Sequence, residues 1–148
     1  MKASLIVESG DAREKHHFAC LVGYGASAIC PYIAFETVAQ LANRGELSRL
    51  TPETAVANYR KAVENGLLKI MSKMGISTIS SYRGAQIFEA LGIKEAMVDT
   101  YFPGTVSRVG GIGMEEIAQD ILGFHRSAFG PEVHEELEEA GYFRFRRG

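Results

Sequence analysis

The segment from Thr51 to Gly75 constrains the fold more than any other part of the sequence. Thr51 is a good N-cap, Pro52 belongs at a first helical position, and Val56, Tyr59, Val63, Leu67, Ile70 and Met74 recur at steps of three and four. This pattern predicts one long amphipathic helix that ends at Gly75. Gly66 costs about 1 kcal/mol relative to Ala inside it, too little to break the helix.

On either side, short apolar runs alternate with helical patterns. Leu5-Ile6-Val7 reads as a strand buried on both faces of a parallel sheet. A helix is predicted to follow from Asp11, with Glu14 at capping-box spacing, Phe18, Leu21 and Val22 on one face, and Gly23 and Gly25 at the stop. Ala26 to Cys30 reads as a second buried strand ended by Pro31, and Tyr32 to Ala42 as a helix packed through Ile33, Phe35, Val38 and Leu41. Beyond Gly75, the β-branched stretch Ile76 to Tyr82 predicts a strand, and Ala85 to Leu91 a short helix stopped by Gly92. Ile93 to Val109 reads as irregular, broken by Pro103 and Gly104, and Gly110-Gly111-Ile112-Gly113 as a turn. Met114, Ile117, Ala118, Ile121, Leu122, His125 and Phe129 restore helical spacing up to Gly130-Pro131. A glutamate-rich stretch and Phe143-Arg144-Phe145-Arg146-Arg147 complete the chain, a split of charge that suits a solvated helix and a linker or docking strand. The alternation predicts a parallel α/β architecture of doubly wound or barrel type, with too few strands to close a barrel.

At 148 residues the chain is long enough for one domain, or part of one, with a real core. A net charge of −2 leaves no basic excess to neutralise phosphates, so nucleic acid and anionic membranes are poor partners. No stretch has the length of a membrane span and the N-terminus lacks a signal-peptide pattern, which makes the cytoplasm the default compartment. Cys20 and Cys30 lie in apolar runs and read as buried reduced thiols, and their number and spacing fit no zinc or iron-sulfur ligand set.

The chemical motifs are sparse. His16 and His17 point about 100° apart on a helix and cannot form an i, i+4 metal pair. His125 falls on an apolar helix face and His134 in an acidic run, and no G-x-S-x-G elbow supports a serine hydrolase. The Gly110 to Gly113 turn opens a helix and is the one candidate phosphate cradle. Glu115 and Glu116 in its first turn would repel an anion, and neither a third fingerprint glycine nor a P-loop Lys-Ser or Lys-Thr follows. Ser80-Ser81-Tyr82-Arg83-Gly84 offers hydroxyls and one guanidinium near a predicted strand end, suited to an anion or a neighbouring domain. Lys69 to Ser77 packs two lysines and two methionines where a helix gives way to a strand. No complete catalytic constellation can be assembled.

The stretches SLIVESGDAREKHHFACLVGYGASAICPYIAFET, KIMSKMGIST, SYRGAQIFEA and YFPGTVSRVGGIGMEE resemble the later part of the central domain of the glutamate synthase large subunit, just before its FMN-binding domain. The resemblance implies a partial, rudimentary (β/α) TIM-barrel-like arrangement without cofactor. It divides the chain into a central-domain segment at 1–130 and a charged tail at 131–148 leading toward the FMN-binding domain. The parent enzyme implied is a flavin-dependent oxidoreductase of ammonia assimilation. It moves ammonia from glutamine to 2-oxoglutarate and reduces the imine with electrons passed through an iron-sulfur cluster and FMN. This chain begins Met1-Lys2 without the family's cysteine nucleophile, lacks a cysteine trio, and ends at Arg147-Gly148 where the flavin domain is expected to start. No catalytic, FMN-binding or metal-binding residue of the family therefore maps onto it, and the isolated chain is expected to be inactive.

The role the resemblance implies is scaffolding: joining glutaminase and FMN-binding domains and helping to wall the ammonia path, in the cytoplasm or, in a plant or alga, the plastid stroma. Ser72, Lys73, Met74, Gly75 and Ser77, with Arg83, are the candidate contacts to the flavin domain, because strand-end turns of a parallel α/β layout meet ligands and neighbours. A separately encoded non-catalytic subunit and an independent phosphate- or nucleotide-binding protein are the competing readings.

Overall fold

The computed structural model describes residues 3–47 and 49–130. The chain divides into two compact units, Met1–Phe88 and a second that begins at Glu89. The first holds β1 (Ile6–Glu8), α1 (Lys15–Gly23), β2 (Ala28–Cys30), α2 (Tyr32–Asn43), α3 (Pro52–Lys73) and α4 (Ile79–Tyr82). The second holds β3 (Glu89–Ile93), α5 (Glu95–Tyr101), β4 (Val106–Ile112) and α6 (Met114–Phe129). Each unit contains one parallel strand pair, β1 with β2 and β3 with β4, linked through a helix. The class is α/β, and the described strands close no barrel, as a partial, rudimentary arrangement requires.

The long helix forms as its sequence dictates. Thr51 Oγ1 accepts from the Thr54 N–H at 3.3 Å, Pro52 opens α3, and Glu53 and Lys73 lie at the ends that the helix dipole favours. Gly75 at φ 71° turns the chain, and the Ile76 N–H closes back on the Met71 carbonyl at 3.0 Å. The stripe of α3 packs on α1 and α2. Tyr59 meets Phe35 edge to face with centroids 6.0 Å apart, and its hydroxyl donates to the Arg13 carbonyl at 2.8 Å. Gly66 does more than its propensity suggests. A Cβ there would come within 2.8 Å of the Lys15 Cβ, so glycine sets how closely α1 crosses α3. The core of this unit gathers Ala19, Met71 and Tyr82, with Leu67, Ile70 and Phe88 packed around them.

Several expectations need correction. Leu5-Ile6-Val7 is not buried on both faces: β1 is an edge of a two-stranded sheet and Ile6 is 71% exposed. The first helix starts at Lys15 rather than Asp11, because Ser9 Oγ holds the Asp11 N–H at 3.1 Å and His17 Nδ1 accepts from the Arg13 N–H at 3.1 Å. The second strand is shorter than expected, beginning at Ala28. Ile76 to Tyr82 is not a strand. The Thr78 carbonyl accepts from Ser81 and Tyr82, and its hydroxyl donates to Ser81 Oγ at 2.8 Å, winding residues 79–82 into α4.

The expected helix from Ala85 to Leu91 is replaced by a turn and then β3. Gln86 takes φ 53°, and the Gly84 N–H is anchored to the Gly23 carbonyl at 2.7 Å. The stretch expected to be irregular contains α5 and most of β4, and Gly110 and Gly111 lie within β4 rather than in a turn. Gly111 is needed there because a Cβ would overlap the backbone of Gly92 on β3. The tail at 131–148, His134 included, lies outside the described residues.

Candidate functional site

The turn that follows α3 carries most of the candidate contact residues. Met71 is buried and anchors the last helical turn, while Ser72, Lys73, Met74, Gly75 and Ser77 are exposed around it. Leu68, Met71, Ser72, Gly75, Ile76 and Ser77 line an open cavity of about 390 Å³. The reversal at Gly75 thus presents a mixed rim, apolar at Leu68 and Met74, hydroxylic at Ser72 and Ser77, and cationic at Lys73. Such a rim suits a protein surface and contains no nucleophile–base pair.

Arg83 is placed elsewhere in the unit. Its Nη2 donates to the Gly25 carbonyl at 3.1 Å and to Ser27 Oγ at 2.8 Å, tying the end of α4 to the turn between α1 and β2. With Ser27, Ile29, Phe35, Val63 and Leu67 it lines a second, mostly apolar cavity, also about 390 Å³. The structure therefore does not merge Arg83 with the Ser72–Ser77 rim. The Ser80 and Ser81 hydroxyls engage Thr78 at 3.4 and 2.8 Å, and Tyr82 points inward, fully buried, donating to the Ala19 carbonyl at 3.3 Å. Burial, and secondarily Cys20, push the Tyr82 phenol up from its ordinary range.

The Gly113 end of the glycine-rich segment is satisfied from within. Glu116 Oε2 accepts from the Gly113 N–H at 2.8 Å, and its Oε1 is 2.9 Å from Lys94 Nζ. The Lys94 hydrogen bond first, and the Gly113 N–H second, lower the Glu116 carboxyl from the usual 4.5 to about 2. Where an anion would sit, the protein supplies its own carboxylate. Sequence reasoning missed this latch, although Glu116 stands three residues after Gly113 at capping-box spacing.

Among the described residues the remaining titratable groups form no further constellation. His17 caps α1, and the His125 ring lies against Phe129 at 4.9 Å. The cysteines differ from expectation: Cys20 occupies an exposed position of α1 and Cys30 is half-buried, at the end of an edge strand. Desolvation first and Glu14 second raise the Cys20 thiol above its ordinary range. Among the described residues no three His, Cys, Asp or Glu side chains converge as a metal site. With two cysteines in the whole chain, an iron-sulfur cluster does not fit the residues present.

These features define an α/β segment whose exposed functional groups sit on turns and rims rather than around a reacting centre. The chain belongs to the glutamate synthase family: residues 1–94 match the glutamate synthase central domain. Over 157 aligned residues it is 50% identical to ferredoxin-dependent glutamate synthase 2 of Synechocystis sp., covering 100% of this chain and 10% of that protein. It is also 50% identical over 147 residues to the glutamate synthase (NADPH) large chain of Bacillus subtilis, covering 99% of this chain and 10% of the relative. Ferredoxin-dependent glutamate synthase 1, chloroplastic/mitochondrial, of Arabidopsis thaliana is 47% identical over 157 residues, again 100% of this chain and 10% of the relative. The chain thus spans about a tenth of the length of these relatives. No helix among the described residues is long and apolar enough to cross a membrane.

Proposed function

We propose that this chain serves as the central-domain segment of a glutamate synthase, holding the glutaminase and FMN-binding domains together and helping to wall the path of ammonia between them. The observation that carries the reading is the match of residues 1–94 to the central domain, combined with about 50% identity to large chains across the full sequence. In this reading residues 1–130 are the central-domain segment and 131–148 the linker toward the flavin domain. FMN and the iron-sulfur cluster belong to the rest of the parent enzyme. The setting is the cytoplasm or, for a photosynthetic eukaryote, the plastid stroma.

The chain's own residues would act by shape and exclusion. Ammonia in transit is retained where water and proton donors are kept away, which apolar and backbone-lined walls accomplish and charged ones do not. The rim of Ser72, Lys73, Met74, Gly75 and Ser77 is the proposed contact to the flavin domain, and Arg83, held by Gly25 and Ser27, is a further proposed contact residue.

The test is coupling, measured in the Bacillus subtilis large chain after this sequence replaces its matching stretch. Lys73→Glu should leave glutamine hydrolysis intact while free ammonia accumulates and glutamate per glutamine consumed falls. Unchanged coupling in Lys73→Glu and in the double variant Ser72→Glu, Ser77→Glu would remove the rim from the interface.

A further inference from the structure

We propose that the apolar stripe of α6 is a second docking surface, covered in the full-length synthase by an apolar face of an adjoining domain of the same polypeptide. The inference rests on the family reading above, and it concerns the second unit, whereas the Ser72–Ser77 rim belongs to the first.

The helix is well formed and has no core of its own. Met114, Ile117, Ile121, Leu122 and Phe129 recur at helical spacing and define one stripe, about 24 Å long for a 16-residue helix. Yet no residue of α6 is buried: Ile121 is 61% exposed, Phe124 73% and Phe129 77%. Scattered exposed apolar residues are ordinary, but a continuous stripe of this length marks an interaction surface. β4 in the same unit also leaves Val106, Val109 and Ile112 exposed.

The charge pattern selects the kind of partner. Glu115, Glu116, Asp120 and Arg126 all lie off the stripe, and His125, the one titratable residue on it, has its ring against Phe129. A helix that lies on a membrane surface carries Lys and Arg on its polar face, whereas this face is acidic with Arg126 as the one strong cation. A protein surface of matching apolar character is what remains. The relatives supply its source, since the stretch matched by this chain is about a tenth of their length and the other nine-tenths are available to cover it.

The experiment compares Ile121→Cys in two settings: the 148-residue chain alone, and the Bacillus subtilis large chain carrying this sequence in place of its own. Alkylation by iodoacetamide should be at least tenfold slower at this thiol in the large chain, with Cys20 and Cys30 replaced by Ser in both. Ile121→Asp should leave the melting temperature and helical dichroism of the free chain unchanged and lower the melting temperature of the large chain. Equal alkylation rates, including those of a large chain that fails to fold, would overturn the proposal. So would a free chain that dimerises until Ile121→Asp separates it, because the occupant is then a second copy. Protection of Ile121→Cys without coupled glutamate formation would leave this docking surface standing and defeat the scaffold reading instead.

Discussion

At the scale of single residues, Tyr82 shows most clearly how the first unit is held. Its ring is fully buried against Ala19, Met71 and Phe88, and its hydroxyl reaches a carbonyl of α1, so one side chain joins α4, α3 and α1. Truncating a buried aromatic costs about 3–5 kcal/mol, while losing one hydrogen bond costs about 1. Tyr82→Ala should therefore unfold or nearly unfold the unit and Tyr82→Phe should cost about 1 kcal/mol, read by urea denaturation. Equal losses from both would mean the hydroxyl, not the ring, carries the contact. Glu116 makes a prediction of another kind. Because its carboxyl is lowered in the folded state, its contribution is full above the ordinary 4.5 and is lost as the pH falls through about 2. Lys94→Met should raise the Glu116 midpoint toward 4.5 in a carboxyl-detected NMR titration. A midpoint still near 2 would assign the shift to the Gly113 N–H instead.

At the scale of elements, α3 sets a propensity against a clash. Replacing Gly66 by Ala would gain about 1 kcal/mol in an unobstructed helix, but the added methyl meets the Cβ of Lys15, and overpacking costs about 1–3 kcal/mol. The Lys15 Cβ cannot swing aside as a side-chain tip would, so Gly66→Ala should lower the melting temperature, and a rise would show that α1 yields. This position also explains what the sequence could and could not convey. The cap, stripe and stop of α3 are local, hence legible, and so is the exposed turn at Gly75 that carries the candidate rim. α4 was hidden because Ile76 to Tyr82 is rich in β-branched residues, while the hydroxyl of Thr78 decides the winding. β3 and β4 were hidden because their pairing is non-local: Gly110 and Gly111 read as breakers until Gly92 stands opposite. The anchoring of Arg83 on Ser27 joins positions 56 apart, and no local pattern announces it.

At the scale of the whole molecule, the matched stretch is about a tenth of the relatives' length, which limits what it can determine in them. The chain is as similar to a ferredoxin-dependent synthase as to an NADPH synthase, 50% in each case. A segment that read the electron donor would be expected to side with one class, since donor recognition needs charged surfaces matched to ferredoxin or a site for a dinucleotide. Among the described residues the one glycine-rich helix start is filled by Glu116, which leaves no dinucleotide site there, and the net charge of the chain is close to balanced. Placed in the Bacillus subtilis large chain, this sequence should therefore support glutamate formation driven by NADPH and gain none driven by ferredoxin. Steady-state rates with each donor, measured beside the unmodified enzyme, decide the matter. A shift of donor preference would mean that the central segment does more than position its neighbours, and the exposed surfaces of the second unit would be the first place to look for the cause.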